Sequence, residues 1–230
     1  MKHHPHTVPT SCFERFTERD FRFLAEIVFG DADKLEPLVH LAENHDSLLS
    51  ILEEDRVFQQ VIEVPFPLSI SPEFYFFILV RHSLVDAGIP DLRIADYVAV
   101  TLADHSRSQA LGKALSDKPD LDFTYHVDFV AGLDGLSHYD RFFLQVECGN
   151  QFLVLTGLFP RFLEHRANRR GAPKLGYYEE VARSAFLTAS DHPLAEEFDL
   201  GRIYPRLAEC LGETRRALNH MSEKYLFLES

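Results

Sequence analysis

The sequence predicts an all-α protein: a single-domain, irregular multi-helix bundle with two central apolar helices. Three observations carry that expectation. Apolar residues recur at helical spacing along most of the chain from Ser11 onward. Helix-start residues stand in front of several of these stretches. Two segments are apolar on every side, the mark of a helix surrounded by other helices. There is no repeat at solenoid periods and no Gly/Ser linker. Residues 11–230 therefore read as one α-helical domain, preceded by a disordered tail at 1–10, MKHHPHTVPT.

In chain order, Thr17 to Phe29 places Phe21, Leu24, Ala25 and Val28 on one face, and Gly30 ends that helix. Asp31 or Asp33 caps a second helix carrying Leu35, Leu38, Val39 and Ala42. Asp46 opens a short third, with Leu48, Leu49 and Leu52, and Asp55 a fourth through Val57, Phe58, Val61 and Ile62. The proline-rich VPFPLSISP is a loop. Ser71-Pro72 starts the first central helix, with Ser as cap and Pro at the first helical position, and it runs to Ala87 and Gly88. Asp91 caps the next helix through Leu102. The polar stretch Ser106–Pro119 is the weakest join, a long loop or a subdomain boundary, and 122–130 is ambiguous between strand and helix. Ser137 starts the second central helix, which Pro160 bends or breaks. Gly149 and Gly157 in it permit close approach of a neighbour. A helix spans Glu179–Leu187, and a long one spans Gly201–Leu228.

Composition narrows the function classes. The 230 residues suffice for a substantial core without disulfides. Phe is abundant, at 20 against 8 Tyr and no Trp, which suits a dry core because Phe needs no hydrogen-bond partner. The net charge of −13 disfavours nucleic acid and anionic membrane as partners, since both are held by Lys and Arg. Cys12, Cys148 and Cys210 are widely spaced, as in a reduced cytoplasmic compartment. No apolar leader opens the sequence, and its longest apolar run is far below the roughly 20 residues of a membrane helix.

Polar residues on the apolar helices are the first site candidates. Arg81 falls among Phe74, Phe77, Ile78 and Val85 on a helical wheel, and Glu147 and Asn150 fall near Phe143. A buried charge requires a partner, so Arg81 and Glu147 are expected to pair, with Asn150, Asp96 or Tyr97 completing the hydrogen bonds. His82 and Asp86 stand four apart, on one helix face, at metal-ligand spacing. With Glu147 they are the candidates for catalysis, but no Glu-x-x-His pair accompanies them, and no metal site is expected. His45-Asp46 lacks the separate ligands that a metal-dependent phosphohydrolase requires. Dinucleotide, P-loop, nucleophile-elbow and zinc-protease motifs are absent, and no cofactor is indicated. Cys148 reads as core, its thiol raised by Glu147.

A local excess of positive charge is the second candidate. Arg161, Arg166, Arg169, Arg170, Lys174 and Arg183 face only Glu164, Glu179 and Glu180 over the same span. Arg169-Arg170-Gly171 with Pro173 reads as a loop able to take a phosphate or a partner's carboxylates.

The segment GLFPRFLEHRANRRGAPKLGYYEEVARSAF resembles a stretch of a family of uncharacterised bacterial α-helical proteins. The matching positions are Gly157, Phe159, Pro160, Arg169, Arg170, Tyr177, Tyr178, Ala185 and Phe186, and SPEFYFFILVRHSLVDAGI looks like the same group's apolar block. The resemblance implies a bacterial cytosolic helical protein and brings no activity. Together these readings lead to the expectation of a non-enzymatic cytoplasmic protein that binds a protein partner or a small anionic ligand. Its binding residues would be Arg81, Asn150, Arg169, Arg170, Tyr177 and Tyr178. The alternative is a helical enzyme with a metal or acid/base site around His82, Asp86 and Glu147. The oligomeric state is not legible.

Overall fold

The structure, a computed structural model, describes residues 11–42, 44–63, 69–115 and 135–226, apart from the side chains of residues 39, 41, 42, 45, 108–115 and 170. All regular structure among the described residues is helical, as the caps and periodicity predict. The expected tail at 1–10 and the ambiguous segment at 122–130 lie outside the described residues. The chain forms two compact units, Thr10–Ala103 and the part from Asp104 on. The division falls close to the weak join expected at 106–119, but that join is helical through Leu115 rather than a loop. No single helix among the described residues is long and apolar enough to cross a membrane.

In the first unit a tight turn at Cys12–Arg15 precedes α1 (Glu18–Phe29), α2 (Leu35–Ala42), α3 (His45–Leu52), α4 (Asp55–Glu63), α5 (Pro72–Asp86) and the first part of α6 (Leu92–Leu115). Asp20, fully buried, fastens two helix starts at once. Its Oδ2 accepts the Thr17 N–H at 2.7 Å and hydroxyl at 2.9 Å, and its Oδ1 accepts the Ser71 N–H at 2.7 Å. Ser71 caps α5 through the Phe74 N–H, with Pro72 at the first position. Every residue from Glu73 to Val80 is buried, so α5 is enclosed all round in this stretch, as its pattern predicts. Asn44, not Asp46, caps α3, accepting the Asp46 and Ser47 N–H groups.

The N-terminal strap lies against α5. Phe13 packs on Phe77 and Phe16 on Phe74, at ring separations of 4.8 and 5.2 Å. Arg15 stands 3.6 Å from the fully buried Glu73. The Cys12 N–H donates to Asp96 Oδ1 at 2.8 Å. Burial pushes the Asp96 carboxyl above its ordinary range, against the pull of hydrogen bonds from Cys12 and Ser11.

The second unit is built on α7 (His138–Leu158), α8 (Pro160–Arg170), α9 (Leu175–Ser190), the short α10 (Pro193–Glu197), α11 (Ile203–Glu209) and α12 (Leu211–Met221), with a wide terminal turn at Ser222–Leu226. Ser137 caps α7 through the Asp140 N–H. From Phe152 to Leu158 every residue is buried. At Pro160, which lacks the donor needed to continue the ladder, the chain turns through 90° into α8. The expected long C-terminal helix is interrupted at Cys210, giving α11 and α12, and α9 begins four residues before the expected Glu179.

Two glycines set how closely the helices of this unit pack. A Cβ on Gly149 would lie 2.7 Å from the Phe186 ring of α9, and one on Gly157 would lie 2.8 Å from Leu218 of α12. Phe186 and Leu218 are fully buried and cannot retreat into solvent.

Two measurements follow. Gly149→Ala and Gly157→Ala should each destabilise the protein by roughly 1–3 kcal/mol in urea unfolding, because overpacking outweighs the gain of about 1 kcal/mol in helix propensity. Stabilisation by either variant would contradict the close approach. Asp96→Asn tests the strap. A raised folded pKa means that the native state holds the Asp96 proton more tightly than the unfolded chain does. That contribution is full below the unfolded pKa of 3.8 and is lost as pH rises through the folded value. Wild type should therefore lose stability relative to Asp96→Asn on going from acid to neutral pH. A relative gain would contradict the burial.

Candidate functional site

The basic cluster is sorted by the fold into structural and presented cations. Arg166 is buried, with its guanidinium 5.5 Å from the centre of the Phe162 ring. Arg183 reaches Glu179 at 3.4 Å, Glu180 at 3.3 Å and the Ala208 carbonyl. Arg161 pairs at the surface with Glu223, at 3.8 Å. Arg169 and Lys174 are exposed, and neither has a carboxylate within 4.0 Å among the described residues. The expected loop is shorter than its composition suggests. The α8 helix continues through Arg170, and Gly171 ends it in the left-handed region at φ 62°. The Arg170 side chain lies outside the described residues.

Beyond this turn α9 borders a shallow groove against α7. It encloses about 320 Å³ and is lined by Gln145, Cys148, Tyr177, Glu180, Val181, Ser184, Ala185 and Thr188. Tyr177 is 44% exposed, so it presents an aromatic face both to the groove and to solvent three residues after Lys174. Tyr178, expected as a ligand contact, is instead buried and stacks on Phe152 at 5.4 Å. The Cys148 thiol is pushed up to about 12 by burial first and by the Glu147 charge second, which keeps it protonated at neutral pH.

The interior acid/base candidates are arranged differently from the wheel-based expectation. Arg81 is mostly enclosed, but it pairs with Glu53 at 2.7 Å and donates to the Pro90 carbonyl at 2.7 Å. It thereby ties the end of α5 to the end of α3 within the first unit. Glu147 is exposed, because the first half of α7 keeps an outward strip and full enclosure begins only at Phe152. Asn150 is half-buried on the same helix. His82 and Asp86 do meet, at 3.4 Å, with the imidazole stacked on Phe58 at 3.7 Å. Among the described residues, no three His, Cys, Asp or Glu side chains are grouped as a metal site requires.

Residues that spacing alone does not reveal form the polar chain behind the basic turn. Arg215 donates to Glu179 at 2.8 Å and to Asn219 Oδ1 at 2.8 Å. Asn219 donates to the carbonyls of Thr156 at 2.8 Å and Gly157 at 2.6 Å. The sequence signal for it was Pro160 itself, since a proline leaves the carbonyl four residues earlier without its donor. His192 was signalled as well: it precedes Pro193, and a residue before Pro at a helix start is a cap position.

Comparison with family models, with curated proteins and with solved structures finds no match.

Proposed function

We propose that this chain is a non-enzymatic α-helical binding protein that meets an acidic partner surface or small anion through the basic turn between α8 and α9. The observation that carries the reading is the presentation of Arg169 and Lys174. Both are exposed and without a carboxylate within 4.0 Å among the described residues, in a chain of net charge −13. Elsewhere such a chain repels acidic partners; here it attracts them. Tyr177 adds an exposed aromatic surface beside the cations, the residue type on which interfaces concentrate their binding energy. The turn is also held from behind, because Glu179 on the first turns of α9 is fixed by Arg183 and Arg215. A rigidly presented charge loses less entropy on binding.

The test is the double variant Arg169→Glu with Lys174→Glu, beside wild type, in affinity capture from a cell lysate with quantitative mass spectrometry. Wild type should retain a defined set of acidic proteins or phosphorylated ligands, less as salt rises. The variant should lose that set while its unfolding free energy stays within about 0.5 kcal/mol of wild type, since exposed charges add little to stability. Equal retention by both proteins would overturn the reading.

A further inference from the structure

The groove between α7 and α9 begins where the basic turn ends. Lys174 immediately precedes α9, and Tyr177 on the first turn of that helix lines the groove. From Tyr177 the α9 wall continues through Glu180, Ser184 and Thr188, spaced three or four residues apart and so on one strip of the helix. All four are exposed. Beneath them Val181 and Ala185 of α9 and Cys148 of α7 are buried and form an apolar floor. The Cys148 thiol stays protonated at neutral pH and behaves as a small apolar group. Two of the large apolar side chains left exposed among the described residues, Tyr177 and Leu187, stand on this same helix.

Length and depth select the shape of an occupant. The α9 wall rises about 16 Å from Tyr177 to Thr188. A trench of about 320 Å³ spread over that length is too shallow for a whole chain, and takes side chains from an element lying along it. Two packed helices offer such a trench to the ridge of a third. An amphipathic helix fills it with apolar side chains at i, i+3 or i+4, and i+7.

Charge sets the direction. At the turn end Arg169 and Lys174 are exposed, with no carboxylate within 4.0 Å among the described residues. Along the trench stands Glu180, which accepts Arg183 Nε at 3.3 Å, and Glu147 is exposed beside Cys148 on α7. Carboxylates spread along the trench would meet these like charges, whereas carboxylates gathered at the turn end meet the cations.

On the reading of the basic turn as a recognition surface, we infer that the groove is the other half of that surface and receives one amphipathic helix of an acidic protein partner. The helix sets its carboxylates on Arg169 and Lys174 and lays its apolar face along Tyr177, Val181, Ala185 and Cys148.

The test is selection on the full chain from a phage-displayed random peptide library of about sixteen residues, long enough to cover the groove as a helix. Fluorescence anisotropy with the enriched peptides then gives their affinities. Enriched peptides should carry Asp or Glu at one end and apolar residues at i, i+3 or i+4, and i+7. Replacing those apolar anchors with Ala should weaken binding to wild type at least about tenfold. Ser184→Gln with Thr188→Gln, which sets neutral polar side chains over the apolar floor at exposed positions, should weaken the anchored peptides as much. It should leave helical circular dichroism and the Ala-anchor peptide's affinity unchanged. Arg169→Glu with Lys174→Glu should weaken both kinds of peptide. Enriched acidic peptides without apolar anchors, or affinities that neither the Ala replacement nor the groove variant lowers, would overturn the groove and leave the turn standing. Equal binding of the enriched peptides to wild type and the turn variant would overturn the turn and the groove together, as would a selection that enriches no acidic peptide.

Discussion

The second unit depends on what happens to two backbone carbonyls at the end of α7. Pro160 has no N–H, so the Thr156 carbonyl loses its normal helical partner, and the Gly157 carbonyl belongs to the same frayed last turn. Both residues are buried, where an unmet carbonyl costs more than an ordinary hydrogen bond contributes. The Asn219 amide supplies two donors, at 2.8 and 2.6 Å, from a helix more than sixty residues further along the chain. The proline break thereby becomes a joint between α7 and α12. Gly157, on the same turn of α7, lets Leu218 of α12 approach closely enough for the amide to reach.

From that joint the polar chain continues outward. Asn219 is held by Arg215, Arg215 by Glu179, and Glu179 by Arg183, which also reaches the last turn of α11 at Ala208. Each link is at most partly exposed, so its charges are screened less than those of a surface pair. This polar chain also frames the basic turn. It fixes the direction in which α8 leaves the bend and the point at which α9 returns, and the basic turn lies between those two fixed ends. Four of the cations counted in the sequence divide accordingly. Arg166 and Arg183 are committed to the scaffold, while Arg169 and Lys174 are left facing solvent.

The sequence made local features legible and distant ones illegible. Ser71-Pro72 and Ser137 announce their helices because a cap acts within three residues of itself. The enclosure of α5 from Glu73 to Val80 and of α7 from Phe152 to Leu158 is visible in their unbroken apolar runs, whereas the end of α5 opens to solvent at Val85 and Asp86. Glu147 was misjudged because a wheel gives angular position but not where along a helix enclosure begins. The partner of Arg81 was misjudged for a related reason: Glu53 approaches from 28 residues away, at the end of α3, and nothing in its own local pattern announces that. The basic cluster was readable as a charge excess, but which cations face inward depends on Glu179 and on the Ala208 carbonyl, set by packing. The segment 122–130, ambiguous between strand and helix in the sequence, lies outside the described residues.

The most direct test of the central claim is the unfolding free energy of Asn219→Leu. Leu has the branching and the number of side-chain heavy atoms of Asn but no hydrogen-bonding group, so the substitution removes the two donated bonds and the acceptor for Arg215. If the Asn219 amide holds the proline break, the variant should lose at least about 2 kcal/mol, the scale of stranding buried carbonyls. Its amides in α12 and in the last turn of α7 should lose hydrogen-exchange protection before those of α5. A variant within about 0.5 kcal/mol of wild type, with protection unchanged at the end of α7, would contradict the account.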